Sequence, residues 1–171
     1  MEAAFNNTPQ ATPENRCRQE FRLRFAELGF SGHVSNVSSL ALIDEARNAF
    51  LGASVPGSDS VPGVLSQVHG RVSALVAQHI VEYRKEVWFR SQSVFVDVWI
   101  PVLGESSFAV DCALYDADDE DPAVLAESTL VLIDKATRKP WRMDPALREV
   151  LGHWSGERLA FRPRVGLGNA T

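Results

Sequence analysis

Residues 17–25, CRQEFRLRF, alternate: Phe21, Leu23 and Phe25 point to one side, Arg22 and Arg24 to the other. A period of two is that of a strand with one buried face. The pattern changes over residues 37–51, VSSLALIDEARNAFL, which predict a helix of about four turns, with Asn36 as N-cap and Gly52 as stop. Its apolar side chains (Val37, Leu40, Leu42, Ile43, Ala46, Phe50, Leu51) scatter around the wheel, so the helix is expected to be enclosed by other structure. After GASVPGSDSVPG, a loop with two Val-Pro-Gly turns, four strand patterns follow: RVSALVAQHIVEY, SVFVDVWIPV, SSFAVDCALYD and AVLAESTLVLID. LGES and DADDEDP separate them as turns, and DPALREVL predicts a short second helix. One short strand, one enclosed helix and four long consecutive strands predict an α+β domain with an antiparallel sheet. The domain is expected over residues 17–155, between a flexible leader at 1–16 and a flexible tail at 156–171.

Composition narrows the function classes. The 171 residues suit one domain with a single core. With 17 basic against 22 acidic side chains, net −5, the chain has no global pull toward nucleic acid or an anionic membrane. No apolar run reaches the ~18 residues of a membrane span. Cys17 and Cys112 lie far apart with no C-x-x-C pair, so neither a disulfide framework nor a zinc site is expected, and a reduced cytoplasmic setting fits.

LRFAELGFSGHVSNVSSLALIDEAR resembles the opening of hotdog-fold acyl-CoA thioesterases of the 4-hydroxybenzoyl-CoA thioesterase type. Their pattern, R-Y-x-D-x-D-x-x-G-H-V-N-N followed by a long helix with E-A-R, is met at Arg24, Gly32, His33, Val34, Asn36, Glu45, Ala46 and Arg47 without a gap. Tyr83, the LGESSF turn and the closing VLAESTLVLIDKATRKPWRMDPALREVL are similar too, so that the resemblance covers residues 18–152. It implies an antiparallel sheet of about five strands wrapped around one long central helix. It also implies hydrolysis of an acyl-CoA or other acyl thioester by activated water, and a homodimer or a dimer of dimers. No metal or cofactor is implied. Backbone N–H groups of Val34, Ser35 and Asn36 would hold the oxyanion at the helix N-terminus.

The departures fall on the chemistry. Glu27 stands at the first motif Asp, Gly29 at the second, usually catalytic one, and Phe25 at the Tyr. Two residues along a strand span about 6.6 Å, more than the extra C–C bond of Glu27 can bridge, so an ion pair with Arg22 or Arg24 competes with a catalytic role. His33 is the better candidate: an imidazole titrates near ~6.5 and can serve as general base. Its competing role is to pack the turn. Glu45, about 13 Å along the axis from Asn36, could act only in a site shared across a dimer. Otherwise it joins Asp44 and Arg47 in a polar cluster. Ser107, with Ser106, could hold the attacking water or satisfy backbone groups. The missing carboxylate also supports a different class: a non-catalytic hotdog protein that binds acyl thioesters or serves as a dimeric interaction module.

The other motifs are weaker. Asp116, Asp118, Glu120 and Glu127 have calcium-loop spacing, but Asp121 stands where such a loop needs Gly, and both flanks read as strands. His69, His79 and His153 have no ligand spacing and are expected at the surface or in packing roles. Arg84, Lys85, Arg90, Arg138 and Lys139 are the cations available to coenzyme phosphates.

Overall fold

The computed structural model describes residues 10–11, 15–52, 61–89, 93–117 and 119–163. Most of the expected leader, the first Val-Pro-Gly turn, Arg90, Asp118 and the last eight positions of the expected tail lie outside the described residues.

Six strands form one antiparallel sheet: β1 (Gln10–Ala11), β2 (Cys17–Arg22), β3 (Val72–Tyr83), β4 (Ser93–Leu103), β5 (Ser107–Tyr115) and β6 (Val124–Asp134), in the order β1-β2-β4-β5-β6-β3. The long strands β3 to β6 fall on the four expected strand patterns. Helix α1 (Asn36–Leu51) packs on β2, β4 and β5, and α2 (Pro145–Gly152) closes on β4. The two-residue β1 adds to the expected set of strands. This is the α+β hotdog arrangement, with the sheet packed on one face of α1.

Strand parity sets two layers. On β4, Val94, Val96, Val98 and Ile100 join Phe108, Val110, Cys112 and Leu114 of β5 and Ile43, Ala46 and Phe50 of α1 in the main core. The intervening Trp99, Ala113 and Leu125 face the other way, into a smaller cluster with Tyr115, Leu159 and Phe161. Both faces of β4 and β5 are therefore covered, as their continuous apolar runs require. Turn chemistry holds where the sequence placed it. The Gly104 N–H donates to Ser107 O at 2.8 Å, and Asp144 caps α2 through the Leu147 N–H at 2.8 Å.

Three local expectations are corrected. The first strand ends at Arg22; Phe25 opens a single 3-10 turn, Phe25–Glu27, and is 80% exposed instead of joining Phe21 and Leu23 inside. The N-cap of α1 is Ser35, whose Oγ accepts the Ser38 N–H at 3.0 Å, and Asn36 is the first helical residue. The sheet covers one face of α1 (Ser39, Leu42, Ile43, Ala46, Arg47, Phe50, Leu51), while Val37, 79% exposed, and Glu45, two turns further on, are open. Enclosure on all sides, expected from the wheel, is not supplied by one chain. Gly52 stops the helix as expected, with φ 82°.

Candidate active site

The segment before α1 folds back on itself through backbone bonds. The Gly29 N–H donates to His33 O at 2.7 Å and the Gly32 N–H to Gly29 O at 3.1 Å; Gly32, at φ 85°, makes the turn. Leu28 bridges Val34, and the Ser35 N–H donates to Glu27 O at 3.0 Å. On the other side His33 bridges Trp88, and the Val34 N–H donates to Val87 O at 2.8 Å. The helix N-terminus is thus clamped between the 3-10 turn and the segment leaving β3.

A cavity of about 300 Å³ opens at this point, lined among others by His33, Asn36, Ser39, Tyr83, Glu86 and Val124. Two of the three expected oxyanion amides are occupied, Val34 by Val87 O and Ser35 by Glu27 O. Among the described residues no acceptor is bonded to the Asn36 or Val37 N–H, and these are the donors α1 presents at its positive end. Of the expected set 34–36, Asn36 alone keeps an unbonded amide, because the pairing of 28 with 34 and 34 with 87 consumes the earlier ones.

His33 lies on the cavity with its side chain 25% exposed and its ring edge-on to Trp88 at 5.9 Å. Its Nδ1 is buried without a hydrogen-bond partner, 4.0 Å from Glu86 Oε1. Glu27 is held in a reciprocal cap: the Arg24 N–H donates to Oε2 at 2.6 Å and Arg24 Nε to Oε1 at 3.0 Å. Glu45 lies on the exposed face of α1. Ser107 does not come to the cavity within one chain. It pairs with Val131, seven residues along β5 from Leu114, which pairs with Val124 of the cavity wall. That is about 23 Å at ~3.3 Å per residue.

Gly29 has no left-handed φ, and the atoms nearest to a Cβ placed there are His33 O at 3.5 Å and the Ser35 Cβ and Cα at 3.8 and 3.9 Å. The position faces the helix cap and has room for a side chain. Sequence reasoning missed the wall formed by Tyr83, Glu86 and Val87; Tyr83 Oη donates to Asn36 O at 3.2 Å. The signal was a Tyr at the end of a strand pattern running straight into the charged triplet Arg84, Lys85 and Glu86.

The expected polar cluster on α1 is real but differently composed. Arg47, buried, contacts Asp44 and donates to Ser128 Oγ at 3.1 Å, with His79 Nε2 at 3.0 Å from its Nη1. Glu45 stands outside it. Desolvation, then the Arg47 charge, holds the His79 imidazole below its ordinary pKa. Both cysteines are buried with raised thiol pKa values, Cys17 to about 11 by desolvation, which suits packing and not nucleophilic attack. Of the available cations, Arg84 is bound to Glu82 and Ala160 O, and Lys85 to Asp119. Glu127, the last acid of the calcium-like spacing, is buried in β6 on Arg158. Among the described residues no three His, Cys, Asp or Glu side chains stand together as metal ligands, and no helix is long and apolar enough to cross a membrane.

Solved structures share this architecture. Protein PA5185 of Pseudomonas aeruginosa PAO1 is 22% identical, with 81% of this chain and 91% of that one covered at a TM-score of 0.65. A thioesterase of Thermus thermophilus, complexed with coenzyme A and Zn, is 23% identical, with 85% and 98% covered at 0.61. The DHNA-CoA thioesterase of Staphylococcus aureus is 19% identical, with 80% and 89% covered at 0.63. These identities speak for the fold alone. A search of curated proteins returned no match. The profile of the Thioesterase-like superfamily matches residues 23–151, three quarters of the chain, and the chain belongs to that superfamily.

Proposed function

We propose that this protein is an acyl-CoA thioesterase whose site lies at the N-terminus of α1, and that its chemistry is of the 4-hydroxybenzoyl-CoA thioesterase type. One observation carries the reading: the unbonded Asn36 and Val37 amides open α1 at the point where Asn36 and His33 line one cavity. The thioester carbonyl oxygen accepts from those amides, where developing negative charge is favoured. His33 takes a proton from water as its oxygen attacks the carbonyl carbon. The C–S bond then breaks, the carboxylic acid leaves, and the thiolate recovers a proton as free thiol. Val34 and Ser35 shape the pocket through their backbone, and Glu27 stiffens the turn through Arg24. Coenzyme A as the thiol carrier is supported by the Thermus relative, which is complexed with it.

The unit of function in this reading is a homodimer, or a pair of them, in a reducing cytoplasm. The twelve-residue β3 is an open edge carrying exposed Leu75 and Val76, and such edges need cover. The open face of α1 supplies Val37 and Glu45 to the same joint, so Glu45 would reach the site from a second subunit. Ser107 has no role at the cavity within one chain. The alternative, a module that binds acyl thioesters without turnover, is favoured by Gly29, where no carboxylate stands. Thiol release from a panel of acyl-CoAs tests the two: turnover on any chain supports the enzyme, while tight binding with no release on all of them supports the module.

A further inference from the structure

The expected tail is an ordered strap as far as it is described. After α2, Ser155 bridges Ile100, and Gly156 lies so close on Trp99 that a Cβ would sit 2.6 Å from the indole Cδ1. The chain then crosses the outer face of the sheet along a row of directly opposed residues, Trp99, Asp111, Glu127. Trp99 Nε1 donates to Glu157 O at 2.8 Å, Arg158 grips Glu127 with two bonds of 2.5 and 2.6 Å, and the Leu159 N–H donates to Asp111 Oδ2 at 2.8 Å. The strap ends on the edge strand. Arg84 Nη2 donates to Ala160 O at 2.8 Å, and the Arg162 N–H donates to Glu82 Oε2 at 2.6 Å; Glu82 and Arg84 are themselves joined at 2.7 Å.

Strand parity gives this ending a consequence. Glu82 and Arg84 face outward to the strap, so Tyr83 between them, itself 41% exposed, lies on the α1 side of the sheet, where its hydroxyl bonds Asn36 O at the start of α1. One residue further, the Arg84 and Lys85 amides both donate to Ala123 O and begin the cavity wall that reaches Val87 and His33. We propose that the strap, residues 156–162, is a positioning device for the candidate site: by fixing Glu82 and Arg84 on the outer face it holds Tyr83 and the 84–88 wall against the N-terminus of α1. Glu82, Arg84 and the strap touch no reacting atom; they act through Tyr83. The activity arm of the test rests on the thioesterase reading, the structural arm does not.

Glu82→Ala removes the strap's last anchor at the surface, and Glu82→Gln keeps a carbonyl for the Arg162 N–H. Amide hydrogen exchange is expected to quicken about five- to tenfold at Val34, Arg84 and Lys85 in Glu82→Ala, the scale of one lost hydrogen bond, and to return near wild type in Glu82→Gln. Amides in the middle of β4 and β5 should not change. On an active wild type, Glu82→Ala and Tyr83→Phe should each lower kcat with little change in KM, and the double variant should be no slower than the worse single one. Unchanged exchange at the three amides would overturn the proposal whether or not the protein hydrolyses thioesters, and so would kcat losses that multiply in the double variant. A wild type silent on every thioester would sink the enzyme reading alone and leave the exchange result to decide.

Discussion

Gly29→Asp restores a carboxylate where the family motif has one, and the local geometry gives the sign of each effect. The backbone there is not left-handed, so the strain that an L side chain meets at Gly32 does not arise. The new Cβ finds ordinary contacts at 3.5 to 3.9 Å, against His33 O and Ser35. Replacing glycine removes backbone freedom from the unfolded chain, worth ~0.4–1 kcal/mol. A negative charge beside the positive end of α1 contributes ~0.3–1 kcal/mol more. The nearby His33 carbonyl repels the carboxylate and offsets part of this, so stability is expected to rise by about 1 kcal/mol or less. The effect on rate is far larger. A positioned general base is worth about 10²- to 10⁴-fold, and the Asn36 and Val37 donors it would work with are already in place. Turnover is measured by thiol release, with urea unfolding alongside, and Gly29→Asn serves as the control of equal shape without basicity. A gain of at least ~10² in Gly29→Asp and none in Gly29→Asn is expected. A folded Gly29→Asp variant no faster than its parent would refute the reasoning and move the search to Glu45 of a second subunit.

His33→Ala should lower kcat about 10²-fold or more with little change in unfolding midpoint; equal losses of activity and stability would assign His33 to packing against Trp88. Sedimentation at micromolar concentration should show a dimer, and Val76→Lys on the β3 edge should dissociate it, whereas a wild-type monomer would remove any shared site. Asp111 is fully buried, and desolvation, with Glu127 beside it, raises its carboxyl to about 7 against the opposing Leu159 N–H and Arg158. Its folded form therefore keeps a proton that the unfolded chain sheds, and stability should fall as pH rises from about 4 to about 7, by up to ~4 kcal/mol for a shift of roughly 3 units. Asp111→Asn, which keeps an acceptor for Leu159, should flatten that slope and be the more stable protein at pH 8; parallel curves in urea would contradict it.

The fold was legible because it rests on short-range patterns. Runs of β-branched and aromatic residues in 93–102 and 123–134, bounded by turn residues, mark the strands without needing any distant partner. The wheel of α1 misled because an apolar surface records what will be covered, not by which chain. Val37 is open here, and a second subunit is the cover proposed for it. Motif order placed His33 at the cavity mouth, since 29–33 is a local turn. That the Val34 and Ser35 amides are already bonded was not foreseen, because their occupancy depends on Val87 and Glu27, and only the former is distant in sequence. The Glu27 bond was within reach of local reasoning: Leu28 pairs with Val34, so the residues flanking them must meet as well.

The strap was hidden for a different reason. Residues 156–162, GERLAFR, have no period, and each contact is made to a residue 31 to 80 positions away. What the sequence did hold was the complement. Asp97, Asp111 and Glu127 occupy outward positions of strands whose neighbours are apolar, and buried carboxylates require partners. Arg18 answers Asp97 within the sheet, with bonds of 2.7 and 2.8 Å. The cation that answers Glu127, Arg158, comes from the segment that composition alone assigns to a loose end. A misplaced acid on a central strand is thus the sequence signal for a covering segment. It also says where that segment must carry its positive charge. The same logic links the covering of the outer face to the candidate site, because the strap's last two anchors, Glu82 and Arg84, flank the tyrosine that bonds the start of α1.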